Sequence, residues 1–176
     1  VQDGAVSLTL NVPATAFPNA PQVAGYDLLQ IVNPHRAFPI VWNNFSGGTA
    51  SDFIRLEIFD PEKLNKDGSI QTVFSTPQLG ELTALTGTNG GVIVPADTLQ
   101  PGKNYQATLV FAKVCTLDTS SYPGVIGSTR MVSATAFNLH THGTHPSAPI
   151  IGGIIRTNAQ TFLQFFGETN RAHRIE

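Results

Sequence analysis

The run Leu99-Gln-Pro101-Gly102-Lys-Asn-Tyr105, followed at once by Gln106-Ala-Thr-Leu-Val-Phe111, constrains the fold of this chain more than any other stretch. Pro-Gly makes a turn, and the tyrosine opens a β-branched and aromatic run suited to a pleated, half-buried surface. A tyrosine so placed reads as a tyrosine corner: the ring packs between stacked sheets and the hydroxyl bonds back to backbone a few residues upstream. The hydroxyl is therefore expected to bond near residues 99–102, and Tyr105→Phe to leave a buried acceptor unpaired.

Strand signals dominate the rest. Val6, Leu8, Leu10 and Val12 alternate with polar residues; Phe38, Ile40 and Trp42 share one face; Ile54, Leu56 and Ile58 alternate with Phe53, Arg55, Glu57 and Phe59. Residues 60–69 read as a turn region, 70–74 as a hairpin partner, 79–85 and 91–94 as short strands, and 129–139 as a long closing strand. Leu28, Leu29, Ile31 and Val32 fit either a helical turn or two stopped before Pro34, or an edge strand. Phe38, Ile40, Trp42, Ile54, Leu56, Ile58, Leu109 and Phe111 are the expected core. Seven to nine short strands separated by frequent turns imply an all-β sandwich.

Composition agrees. Charged residues make up 12% of the 176 residues, about half the usual share, while 16 Gly and 12 Pro supply turns. Such a chain suits an extracellular or cell-surface setting. The net charge of −2 and the lack of a basic stripe argue against nucleic acid, and no apolar run is long enough to span a membrane. Val1 in place of Met fits a mature form or a fragment whose signal peptide is gone. Cys115 stands alone, so no internal disulfide forms; it reads as a small buried hydrophobe, the alternative being an intermolecular disulfide or reactive thiol.

Trp42 ending an inward-facing strand, the strand at 53–59, and Leu99-x-Pro101-Gly102-x-x-Tyr105 together resemble the fibronectin type III family over about residues 36–140. Trp42-Asn-Asn-Phe-Ser-Gly-Gly-Thr-Ala-Ser-Asp-Phe-Ile54, Val94-Pro-Ala-Asp-Thr-Leu99 and Tyr122-Pro-Gly124 are similar to repeats in very large surface or secreted proteins of planctomycete- and verrucomicrobial-type bacteria. The resemblance implies an immunoglobulin-like, fibronectin III-like β-sandwich serving as stalk, adhesin or scaffold, and supplies no functional residues. The organisation expected is a strand and Pro-rich extension over 1–35, the sandwich over 36–145, a linker over 146–158, and a C-terminal β-hairpin over 159–176. Its strands fall at 161–166 and 172–175, opening a further module or supplying an exchanged strand.

His140-Thr-His142-Gly-Thr-His145 is the cluster with ligand chemistry. On a strand, residues two apart share a face roughly 6.5–7 Å apart, so two imidazoles there could share zinc or copper, with His145 arriving from the next turn. No acid is placed to complete or orient the set, and the competing reading is a polar strand end with exposed histidines. No cofactor and no stoichiometric metal are expected. Asn65-Lys-Asp67-Gly68-Ser is half a calcium loop, but Lys63 stands where the loop should start and Phe74 where its bidentate Glu should be, so a hairpin turn is expected. Asp52, Glu57, Asp60 and Glu62 invite a glycosidase pair that nothing in their spacing demands. Trp42, Tyr26 and Tyr122 are candidate sugar-stacking rings, with Trp42 in phase for the core and Tyr122 for an exposed loop. Asn44-Phe-Ser46 is a glycosylation sequon, read as without meaning in a bacterial chain.

The sequence thus predicts a non-catalytic structural or adhesive module that self-associates, or joins neighbouring β-modules, by β-strand addition. The alternatives are a carbohydrate-binding accessory domain with a polysaccharide partner and, behind it, a metal protein using the histidine cluster.

Overall fold

A computed structural model describes residues 17–118, 120–121, 127–143, 150–157 and 160–166, the last two stretches as backbone alone. Among the described residues the named strands pair antiparallel, an isolated parallel bridge joins Val32 to Thr141, and there is one short 3-10 turn, at Tyr26–Gln30. In one sheet β1 (Val23–Ala24), β2 (Phe38–Trp42) and β6 (Gly91–Val94) lie in the order β1-β2-β6. In the larger sheet β3 (Phe53–Leu64), β4 (Ile70–Ser75), β7 (Asn104–Asp118) and β8 (Gly127–His140) lie in the order β4-β3-β7-β8, and β5 (Leu85–Thr86) pairs with the start of β3. β9 (Ile150–Thr157) and β10 (Gln160–Phe166) form a two-stranded sheet of their own. The expected strand over 6–12 lies outside the described residues.

Alternation places one apolar face of each sheet in a single cluster. Ile40, Trp42 and Val94 come from the smaller sheet, and Ile54, Leu56, Ile58, Tyr105, Ala107, Leu109, Phe111 and Leu139 from the larger. Of the expected core, Phe38 is half-buried at the margin and the rest are buried. Trp42 keeps its polar edge satisfied: the indole N–H donates to the Asn89 carbonyl at 2.9 Å. Phe45, in the polar loop after β2, stacks on Phe111 with ring centroids 4.8 Å apart.

The tyrosine corner is present. Tyr105 is 1% exposed, and its hydroxyl oxygen accepts the Gln100 N–H at 2.7 Å. The upstream partner is thus a donor, not an acceptor. Tyr105→Phe should remove that hydrogen bond and cost about 1–3 kcal/mol, read as a lower denaturant midpoint at unchanged slope.

Several local expectations need correction. β3 runs on to Leu64, and the turn is confined to residues 65–69, where Gly68 takes φ +83°. Pro61 is tolerated because the ladder to β4 skips from Asp60 to Leu64, leaving residues 61–63 without ladder partners. Pro39 sits beyond the two residues of β2 that pair with β1, so its missing N–H leaves no β1 partner unpaired. Residues 79–84 are turns rather than strand: Leu82 is 92% exposed, and Gly80 and Thr83 take positive φ. Of the two alternatives at residues 28–32 the helical turn is found, with Leu28 and Leu29 inside the 3-10 turn, while the edge strand β1 lies ahead of it at Val23–Ala24. Cys115 is half-buried at the bulge between Val114 and Thr116, its thiol 3.7 Å from the Lys113 carbonyl. Residues 150–157, read as linker, form β9, and β10 pairs back with β9; the expected strand at 172–175 lies outside the described residues.

Candidate functional site

The end of the larger sheet that carries the tyrosine corner gathers Asp60, Lys103 and Thr141, three of the five buried polar or charged residues among the described residues. Strand phase turns Ile54, Leu56 and Ile58 inward, and Asp60 follows in the same phase to complete burial. Lys103, the residue after the Pro-Gly turn, is buried with it, its Nζ 2.8 Å from Asp60 Oδ2 and 3.1 Å from Glu62 Oε2. Lys63 Nζ lies 3.8 Å from the same Asp60 oxygen, and the Glu62 N–H donates to Asp60 Oδ1 at 3.1 Å. Burial alone would push the Asp60 carboxyl up; the hydrogen bonds from Lys103 and the Glu62 N–H, with the charges of Lys103 and Lys63, outweigh it and hold the group below its ordinary 3.8. Burial likewise works against the Lys103 ammonium, and bonds to Asp60 and Glu62 overcome it, raising the group above 10.5.

Thr141 ties this corner to the end of β8. Its hydroxyl accepts the Lys103 N–H at 3.0 Å and donates to the Gln100 carbonyl at 2.6 Å. The same alternation that buries Thr141 turns its neighbours outward: His142 is exposed, and His140 is half-buried with Nδ1 2.8 Å from Asn104 Oδ1. His145 lies outside the described residues. Among the described residues no three His, Cys, Asp or Glu side chains come within range of one metal ion.

The other candidates are dispersed. Asp52 immediately precedes β3 and Asp60 lies eight residues further along the strand, on the order of 25 Å away at the rise of an extended chain. Asp52 is buried among the Thr49 N–H at 2.8 Å, the Thr49 hydroxyl at 2.9 Å, the Val114 N–H at 2.9 Å and Lys113 Nζ at 3.3 Å. Glu57 points to the opposite face and pairs with Arg55 at 2.6 Å. No two of the four stand as a free acid and base; each is engaged in holding structure. Asp67 accepts the Ser69 N–H and hydroxyl inside its own turn, so 65–69 is a hairpin turn. Trp42 is core, Tyr26 is 44% exposed at the 3-10 turn, and Tyr122 lies outside the described residues.

A groove that sequence reading missed crosses the outer face of the larger sheet. Phe59, Gln106 and Asn138 stand in one cross-strand row, beside Thr108 and Ala136 of the next row. Ser69 and Ile70 form a wall, and the groove encloses ≈ 680 Å³. It has no charged lining, a half-buried ring and two exposed amides, each amide able to donate and accept. The signal lay in the polar phase of β3, β7 and β8, which becomes a row once the register is known.

No helix among the described residues is long and apolar enough to cross a membrane. No protein-family model matches the chain, and neither the curated proteins nor the solved structures give a match.

Proposed function

We propose that this chain is an extracellular, non-catalytic structural or adhesive module with a fibronectin III-like β-sandwich, assembling with copies of itself or neighbouring β-modules by strand addition. The strand orders β1-β2-β6 and β4-β3-β7-β8, their shared core and the tyrosine corner opening β7 support the sandwich. The observation that carries the function is the β9–β10 hairpin. It is a two-stranded sheet whose sequence is rich in Ile, Leu and Phe, and such a hairpin alone is marginal in water. Among the described residues β6 and β4 end their sheets, with one edge each outside the ladders, and such edges recruit further strands.

Particle size of the native chain tests this. Full-length protein is expected to form concentration-dependent assemblies in light scattering. Deleting residues 161–176 should abolish them while the central fold still unfolds cooperatively. A full-length chain that stays monomeric at high concentration overturns the proposal.

The groove at Phe59 favours carbohydrate binding as a second reading, because a ring flanked by neutral amides suits a neutral sugar. Saturable oligosaccharide binding lost in Phe59→Ala, by a monomeric chain, would select it.

A further inference from the structure

We infer that a second cleft, at the opposite end of the larger sheet's outer face, binds a small organic anion: a carboxylate carried on an apolar body. The cleft encloses ≈ 420 Å³ and is lined by two arginines, Arg55 and Arg130, and by no acid. That volume lies in the range of small-ligand pockets. Strand register puts both guanidiniums on one face. Arg55 stands two residues from Phe53, whose partner on β7 is Ala112, and Arg130 stands opposite Val114, two residues beyond Ala112.

The cationic groups are incompletely matched. Arg55 gives one Nη to Glu57 at 2.6 Å, while its Nε is buried without a hydrogen-bond partner among the described residues. Arg130 is exposed and has no ion pair among the described residues. Nearby acids are turned elsewhere: Glu81 accepts the Gln78 N–H at 2.7 Å, and Asp118 accepts the N–H groups of Ser120 and Ser121. Guanidinium forks match carboxylates in shape as well as charge.

The remaining wall selects the rest of the ligand. Phe53, Leu79, Val114 and Leu117 make it apolar, with Leu117 57% and Leu79 38% exposed. A strongly hydrated inorganic anion gains nothing from such a wall, whereas an aliphatic or aromatic body is removed from water there. The same chemistry is offered by a free carboxylic acid and by the C-terminus of a peptide ending in an apolar residue.

Calorimetric titration of the full chain with 4-phenylbutyrate tests the inference, beside 4-phenylbutanol (body without charge) and acetate (charge without body). Phenylbutyrate is expected to saturate at least about tenfold more tightly than either control, a difference of about 1.4 kcal/mol. Arg130→Gln should weaken it by about tenfold, and Leu79→Ala should weaken it too; both positions are exposed, so folding is preserved. A peptide ending in Phe, with free or amidated C-terminus, separates the sources: either phenylbutyrate alone or the free-ended peptide as well supports the proposal. Equal binding of phenylbutanol, equal binding of acetate, an unchanged affinity in Arg130→Gln, or no saturable binding of phenylbutyrate overturns it. Arg130→Gln should assemble like the parent chain, so the result stands apart from the strand-addition proposal.

Discussion

Lys103→Met is expected to cost about 3 kcal/mol, the low end of what breaking a buried ion pair costs. The substitution keeps the side-chain volume and removes the ammonium that Asp60 faces at 2.8 Å. Lys63 at 3.8 Å and the Glu62 N–H remain beside the carboxylate, which places the loss at the low end. Asp60→Leu combined with Lys103→Met removes both charges and should lie closer to the parent chain than Lys103→Met alone, as a denaturant-based double-mutant cycle would show. The pH dependence carries a sign. Because folding depresses the Asp60 pKa below 3.8, its stabilisation is fully present above about that pH and is lost as pH falls through the folded value. Because folding raises Lys103 above 10.5, its share is present below that pH and lost as pH rises through the folded value. A plateau between those limits is expected. In Lys103→Met the acid limb should flatten or reverse, since protonating Asp60 then relieves a poorly compensated buried charge. An unchanged acid limb would show that the pair does not contribute in this way.

Trp42→Ala should cost about 3–5 kcal/mol, the range for truncating a large buried aromatic. The indole is 4% exposed and belongs to the cluster fed by both sheets. Its removal also leaves the Asn89 carbonyl without the indole N–H that approaches it at 2.9 Å. Trp42→Phe separates the two losses: it restores most of the apolar volume but not that hydrogen bond, and should fall about midway between the two in thermal or denaturant unfolding. A loss below about 1 kcal/mol for Trp42→Ala would mean that the ring contributes little to the core.

What could be read from sequence was what is local. Tyr105 and its partner are five residues apart, and the alternation of β2, β3 and β7 is written in consecutive residues. What escaped was long in sequence or hidden by composition. The Asp60–Lys103 pair spans 43 residues, and Pro61 after Asp60 suggested that the strand had ended. Yet Asp60 continues the even-numbered phase of Ile54, Leu56 and Ile58, and that phase was the available signal of burial. Leu79, Leu82 and Leu85 recur every three residues, which no strand face accommodates. The Gly152-Gly153 pair made β9 look like linker, although Ile150, Ile151, Ile154 and Ile155 flank it with β-branched residues. Both outer-face grooves depend on register between strands about fifty residues apart in sequence, which periodicity within one strand does not contain.

The ladder that joins 53–59 to 106–112 has a kinetic consequence. Neither strand can pair until the chain between them has been looped, so an entropic cost comes before the contacts that reward it. The five-residue closure at Tyr105 and the pairing of β7 with β8, whose ends meet at Asp118 and Gly127, carry no such delay and are free to form early, presenting the other edge of β7 as a template. Until β3 arrives, that template offers the same unpaired backbone to a strand from another chain. Refolding at high protein concentration therefore sets correct closure against premature joining, and the two compete for a single strand.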